Sequence, residues 1–213
     1  MSKRQRPAEP KASDKWQAID DSQDWRQDGP FDIEEVDLDA DDIQRLDFGS
    51  LIVTPFDGMQ MQLQIDPETN EVQALLVVNQ QSAIEVALFA APARSSMLAD
   101  VRLEMQQATE LAGGVMELAK GRFGVEVLRD MPITTPDGQA AHQASRTWFA
   151  EGPKWLLRGV VMGQAAGKGA KEDQLLLEFF CNLVVRRGST PHVPGGLIAL
   201  EIPELIEAEL TVE

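Results

Sequence analysis

The sequence predicts an α+β protein: a mainly antiparallel β-sheet built from hairpins and flanked by two main α-helices. Three observations predict it. Residues 59–65 alternate with period two, so that Met59, Met61, Leu63 and Ile65 share one face and Gln60, Gln62, Gln64 and Asp66 the other. The period changes to three and four at Leu98, Val101, Met105, Ala108, Leu111 and Ala112, and again at Leu175, Leu176, Phe179, Phe180, Leu183 and Val184, the spacing of helices with one apolar stripe. Links bearing Gly or Pro separate the extended runs. Strands, helix, strands, helix is the order of an α+β fold.

Residues 1–45 are expected to form a disordered leader. It starts basic at Lys3–Arg6, holds two isolated tryptophans, Trp16 and Trp25, and turns strongly acidic, with nine acidic residues and one basic residue between Asp28 and Asp47. Phe31, Ile33, Val36, Leu38, Ile43, Leu46 and Phe48 alternate with those acids, the composition of an interaction segment or of an arm laid on the domain. Residues 46–203 are expected to form a single domain, and residues 204–213 a C-terminal tail.

Inside the domain, Asp57-Gly58 and Asp66–Asn70 are turn signals around the first strand. Val72–Val78 and Ile84, Val86, Leu88 complete a meander. Ser95 or Ser96 is the expected N-cap of the first helix, and Gly113-Gly114 its stop. Val115–Ala119 and Val125–Leu128 flank the glycine-rich link Lys120–Gly124. Gln143–Ala150 and Lys154–Met162 flank Glu151-Gly152-Pro153. Trp155, Leu157, Gly159 and Val161 take one face of that last strand, and Leu156, Arg158, Val160 and Met162 the other. A strand apolar on both faces is central and covered on both sides, and Arg158 within it requires a partner. The second helix begins at Glu172 and Asp173 and ends at Arg186, Arg187 and Gly188, a charge order that suits the helix dipole. Leu197–Ile202 is a last short extended piece.

The chain has 213 residues, 35 acidic against 19 basic, and a formal net charge of −16, with 43% hydrophobic residues. That balance builds a core and argues against nucleic acid and anionic membranes as partners, because both demand Lys and Arg. A basic or hydrophobic partner is compatible with it. No apolar run follows the basic start as in a signal peptide, and none approaches the length of a bilayer span, so a cytoplasmic location is expected. The single cysteine, Cys181, sits in an apolar context and is expected as a buried thiol. His142 and His192 lie in polar stretches, and no Cys/His cluster has metal-ligand spacing.

No catalytic motif emerges, and neither a catalytic residue nor a cofactor is assigned. Gly113-Gly114 and Gly121–Gly124 close a helix and turn a hairpin rather than opening a helix as a phosphate loop does. The most distinctive stretch, Glu151-Gly-Pro-Lys-Trp-Leu-Leu-Arg-Gly-Val-Val161, is read as a hairpin feeding a core strand. Its functional reading makes Trp155 and Arg158, with Arg146, candidate binding residues, because Trp and Arg dominate binding hot spots.

On the run Gly152–Val161, the later Arg187-Gly188 and the early Gly29-Pro30-Phe31-Asp32, the chain resembles an uncharacterised actinobacterial family known only as a domain of unknown function. The likeness covers about residues 28–203. The resemblance implies a bacterial cytosolic origin and carries no activity, cofactor or catalytic residue. The expected function is therefore a non-enzymatic binding or adaptor protein, with the acidic-hydrophobic arm contacting a protein partner. The alternative is an enzyme with a site around Arg146, Arg158, Glu151 and Asp130. A nucleic-acid-associated regulator using Lys3–Arg6 and Arg186–Arg187 stands last.

Overall fold

The computed structural model describes residues 12–171 and 173–203. The described residues open with helix α1 (Ala12–Asp20), and two short strands, β1 (Phe31–Asp32) and β2 (Leu46–Asp47), precede β3 (Leu51–Val53). The meander follows as β4 (Gln60–Ile65), β5 (Val72–Asn79) and β6 (Ser82–Ala90), and then α2 (Leu98–Leu111). Two long hairpins come next: β7 (Val115–Gly121) with β8 (Gly124–Thr134), and β9 (Ala140–Gly152) with β10 (Trp155–Gly163). Helix α3 (Gln174–Cys181), β11 (Val184–Val185) and β12 (Leu197–Ile198) complete the described residues.

The large sheet has the order β4-β5-β6-β10-β9-β8-β7, with β12 also pairing β6, and all its pairings are antiparallel. A second, four-stranded sheet has the order β1-β11-β3-β2, in which only β1 and β11 run parallel. The architecture is α+β and mainly antiparallel, as the sequence predicts. β10 is central, and each of its faces meets a core. Trp155, Leu157 and Val161 join the main core with β3, β5, β6, α3 and β11. Leu156 lies on the other face in a smaller core with Ala91, Leu98, Val127 and Phe149, against which Val101 and Met105 of α2 pack. Gly159 sits mid-strand because a Cβ there would stand 2.7 Å from the Phe180 ring. That ring belongs to a buried trio with Phe123 and Trp148, with centroids 4.9 to 5.6 Å apart. Phe123 thus turns inward from the glycine-rich β7–β8 link.

Three expectations need correction. The leader is structured from residue 12 onward: α1 and the turns after it dock on the domain. The Asp20 carboxylate accepts from Arg102 Nη2 at 2.6 Å and from the Val125 N–H at 3.0 Å. Trp25 donates its indole N–H to the Asp20 carbonyl at 3.0 Å and lies under Lys120. Composition reads as disorder because these ties are long-range and leave no local period. The expected basic start at Lys3–Arg6 and the tail 204–213 lie outside the described residues. Second, α3 ends at Cys181 instead of running on to Arg186. The β-branched pair Val184-Val185 is taken up between Phe31-Asp32 and Leu51-Ile52, so sheet pairing overrides the helical spacing. The Cys181 thiol is accordingly only partly buried, at the helix end, and packs against the main core.

Third, α2 is rotated from its expected face: Leu98, Arg102 and Thr109 are its buried residues, and Leu111 is 93% exposed. The buried Arg102–Asp20 ion pair holds that rotation. The start of α2 is fastened by Ser96, whose hydroxyl accepts from the Leu98 N–H, and by Glu151, whose carboxylate accepts from the Met97 N–H at 2.9 Å. Its end is a Schellman turn: the Gly113 N–H reaches Glu110 and the Gly114 N–H reaches Thr109, with Gly113 at φ 76°.

Candidate functional site

The three binding candidates read from the sequence do not converge. Trp155 is fully buried in the main core, and its indole N–H donates to the Asp32 carboxyl at 2.7 Å. Asp32 also caps a short turn with Glu35, and Arg26 bonds both Glu35 oxygens, at 2.9 and 3.0 Å, while its guanidinium lies 5.1 Å from the Trp155 ring centre. Gly29 lets the leader pass close against the end of α3: its φ is 87°, and a Cβ there would lie 1.9 Å from the Cys181 carbonyl oxygen. Trp155 therefore locks the leader to the central strand. Arg146 is buried on the same face of the sheet, 3.9 Å from Glu126, and donates to the Gly167 carbonyl. Among the carboxylates of the enzyme alternative, Glu151 fastens α2, and Asp130 sits in an exposed pair with His142.

Arg158 is on the opposite face and lines a groove of about 290 Å³ between α2 and the sheet. Apolar walls come from Phe89, Met97, Val101, Met105, Phe149 and Leu156, so β6, α2, β9 and β10 all contribute. One more cation lines it, Arg129 of β8, and one carboxylate, Glu104 of α2. The Arg158 guanidinium is 3.5 Å from Glu85, its diagonal neighbour on β6, and lies 5.0 Å from the Phe89 ring centre. Burial holds Arg158 below the usual arginine range; Glu85 opposes that shift and the positive charge of Arg129 adds to it. Burial alone lowers Arg129. No carboxylate pairs with Arg129 among the described residues, and the Nε atoms of both arginines are buried without a hydrogen-bond partner. A buried guanidinium donor left unpaired is costly, and two planar forks beside an apolar cleft suit a carboxylate or phosphate on an apolar body.

A larger hollow, about 410 Å³, lies by Arg45 and Arg186. Both of those arginines are already committed to carboxylates, Arg45 to Asp41 and Arg186 to Asp47, which leaves no open cation there. Among the described residues no group of three His, Cys, Asp or Glu side chains is arranged to hold a metal ion, and no helix is long and apolar enough to cross a membrane.

Arg129 escaped the sequence reading because Leu128-Arg129-Asp130 resembles an ordinary strand end. A local signal was nonetheless present. Val125, Val127 and Arg129 share one strand face, as do Leu156 and Arg158, so in each strand an arginine continues an apolar stripe by two residues.

Fold and groove together define an α+β protein with an apolar-walled cleft, lined by two arginines and Glu104, on the α2 side of a central antiparallel sheet. The chain belongs to the family described as Protein of unknown function (DUF3710), whose model matches residues 29–209. No curated protein and no solved structure matched the chain.

Proposed function

We propose that this is a non-enzymatic binding protein whose groove under α2 takes a small anion carrying an apolar body. Arg129 carries the reading: a half-buried guanidinium without a carboxylate partner among the described residues, set in a mainly apolar cleft beside a second arginine, with Glu104 also on the lining. The cleft volume is near the lower edge of the roughly 300–1,000 Å³ usual for small-molecule sites, which favours a compact ligand such as a medium-chain carboxylate. Calorimetric titration of the full chain with octanoate and with octanol tests it. Octanoate binds at least about tenfold more tightly, since charge-assisted bonds to arginine exceed neutral ones, and Arg129→Gln erases that preference while leaving the fold intact. Equal affinity for the two probes, or an unchanged preference in Arg129→Gln, would sink the reading. We place the protein in a bacterial cytoplasm; its lone cysteine suits a reducing compartment.

A second reading keeps the protein partner on the acidic arm. Most of the arm's apolar side chains are at least partly buried, but Ile43 is 51% exposed amid Asp37, Asp39, Asp41 and Asp42. Ile43→Ser abolishes capture of a basic partner if that loop is the contact.

A further inference from the structure

The two edges of the large sheet are built differently. β7 carries Glu117 and Lys120, and Lys168 reaches across to Glu117. Charges on an edge strand are how folds discourage further pairing. β4, at the other end, pairs only with β5 among the described residues, and it reads Gln-Met-Gln-Leu-Gln-Ile, without charge or proline. A chain of net charge −16 repels its own copies over most of its surface. Gln60–Ile65 add no charge of their own to that repulsion; the nearest acids are Asp57 and Asp66, just beyond either end of the strand.

The alternation along β4 is also self-matching. Met61 and Leu63 pack against the main core, while Gln60, Gln62 and Gln64 are exposed on the other face. A two-fold axis perpendicular to the sheet and passing midway between the Gln62 residues of two copies keeps the two faces in register. It sets Gln62 against Gln62 of a second copy, Gln60 against Gln64, and Met61 against Leu63, so polar meets polar and apolar meets apolar. The register shift between Gln64 and Ile65 ends the pairable run at Gln64.

We propose that β4 is a self-association edge: two copies of this chain pair antiparallel through Gln60–Gln64 and continue one sheet across both. Sedimentation of the full chain over a concentration series tests it, with a variant carrying Gln60→Lys, Gln62→Lys and Gln64→Lys and a second carrying Glu at the same positions. All three side chains are exposed, so the fold tolerates the changes. The native chain dimerises, and each variant alone associates about tenfold more weakly or less, because like charges then face each other at three positions. Mixing the Lys and Glu variants restores the dimer. Hydrogen exchange of the β4 amides in the native chain slows as concentration rises, a readout that needs no variant. A native chain that stays monomeric, or a dimer indifferent to the lysines, overturns the proposal.

Discussion

Trp155 illustrates how one side chain decides the fate of a distant segment. Its indole N–H is buried and has the Asp32 carboxyl as partner, and Arg26 lies over the ring. Trp155→Phe preserves much of the packing and deletes the donor, leaving the buried Asp32 carboxyl short of one bond. A hydrogen bond to a charged group is worth about 1.5–3 kcal/mol, so urea unfolding should show a loss of that size, whereas a surface Trp would show almost none. Glu35 adds a pH signature. The hydrogen bonds from Arg26, and then that from the Asp32 N–H, hold its carboxyl below its usual range against the opposing effect of burial. A lowered folded-state pKa stabilises above the unfolded value, and this stabilisation is lost as pH falls from about 4.5 toward the lowered value. The stability gap between native chain and Glu35→Gln should therefore be constant near neutral pH and close below pH 4.5. Glu35 is exposed enough that its size is about 1 kcal/mol or less. A gap that widens in acid would contradict this assignment. In the sequence, Trp155 was legible as a core residue because it alternates with Leu157 on a doubly apolar strand; its partner was not, because Asp32 lies 123 residues away in an acidic arm.

Elements were legible where a local period set them. The meander β4–β6 and both later hairpins follow from alternation and turn residues, which act within a few residues; the N-cap of α2 is Met97 rather than Ser95 or Ser96, and the distant Glu151 accepts from its N–H. Orientation was not legible, because tertiary partners set it. α2 carries apolar residues at helical spacing, yet Arg102 faces inward, since Asp20 at the end of α1 supplies the opposite charge. Both side chains of that pair are under 10% exposed, at 5% and 8%. Removing one partner of a buried pair costs about 3–5 kcal/mol, because the other charge is left buried alone. Asp20→Ala should reach that range in denaturant unfolding, helped by loss of the acceptor for the Val125 N–H. The double change Asp20→Leu with Arg102→Leu should cost less than Asp20→Ala alone, since apolar replacements leave no buried charge. If Asp20→Ala behaves like a surface substitution, α1 is not fastened to α2 in solution. The groove escaped sequence reading for the same reason that α2's rotation did: its walls come from four elements and its two arginines from separate strands.

At the scale of the whole molecule, the groove sets two arginines, with Glu104 beside them, against a strongly acidic surface. Two guanidiniums lie in a cleft of a chain with net charge −16. The pair acts over contact distance, where burial shields it from salt, whereas the acidic surface acts over the Debye length, about 30 Å at 0.01 M salt and about 8 Å at 0.15 M. An approaching anion is thus repelled at long range and attracted only on arrival. Its association rate should rise as salt is added from 10 to 150 mM, because screening removes the distant repulsion first. Its dissociation rate should move little, because the contacts that hold it are partly buried. Stopped-flow measurement with an anionic, fluorescent medium-chain probe separates the two rates. An association rate that falls with salt would mean that the arginines already project an attractive field beyond the cleft, and that the acidic surface does not govern the encounter.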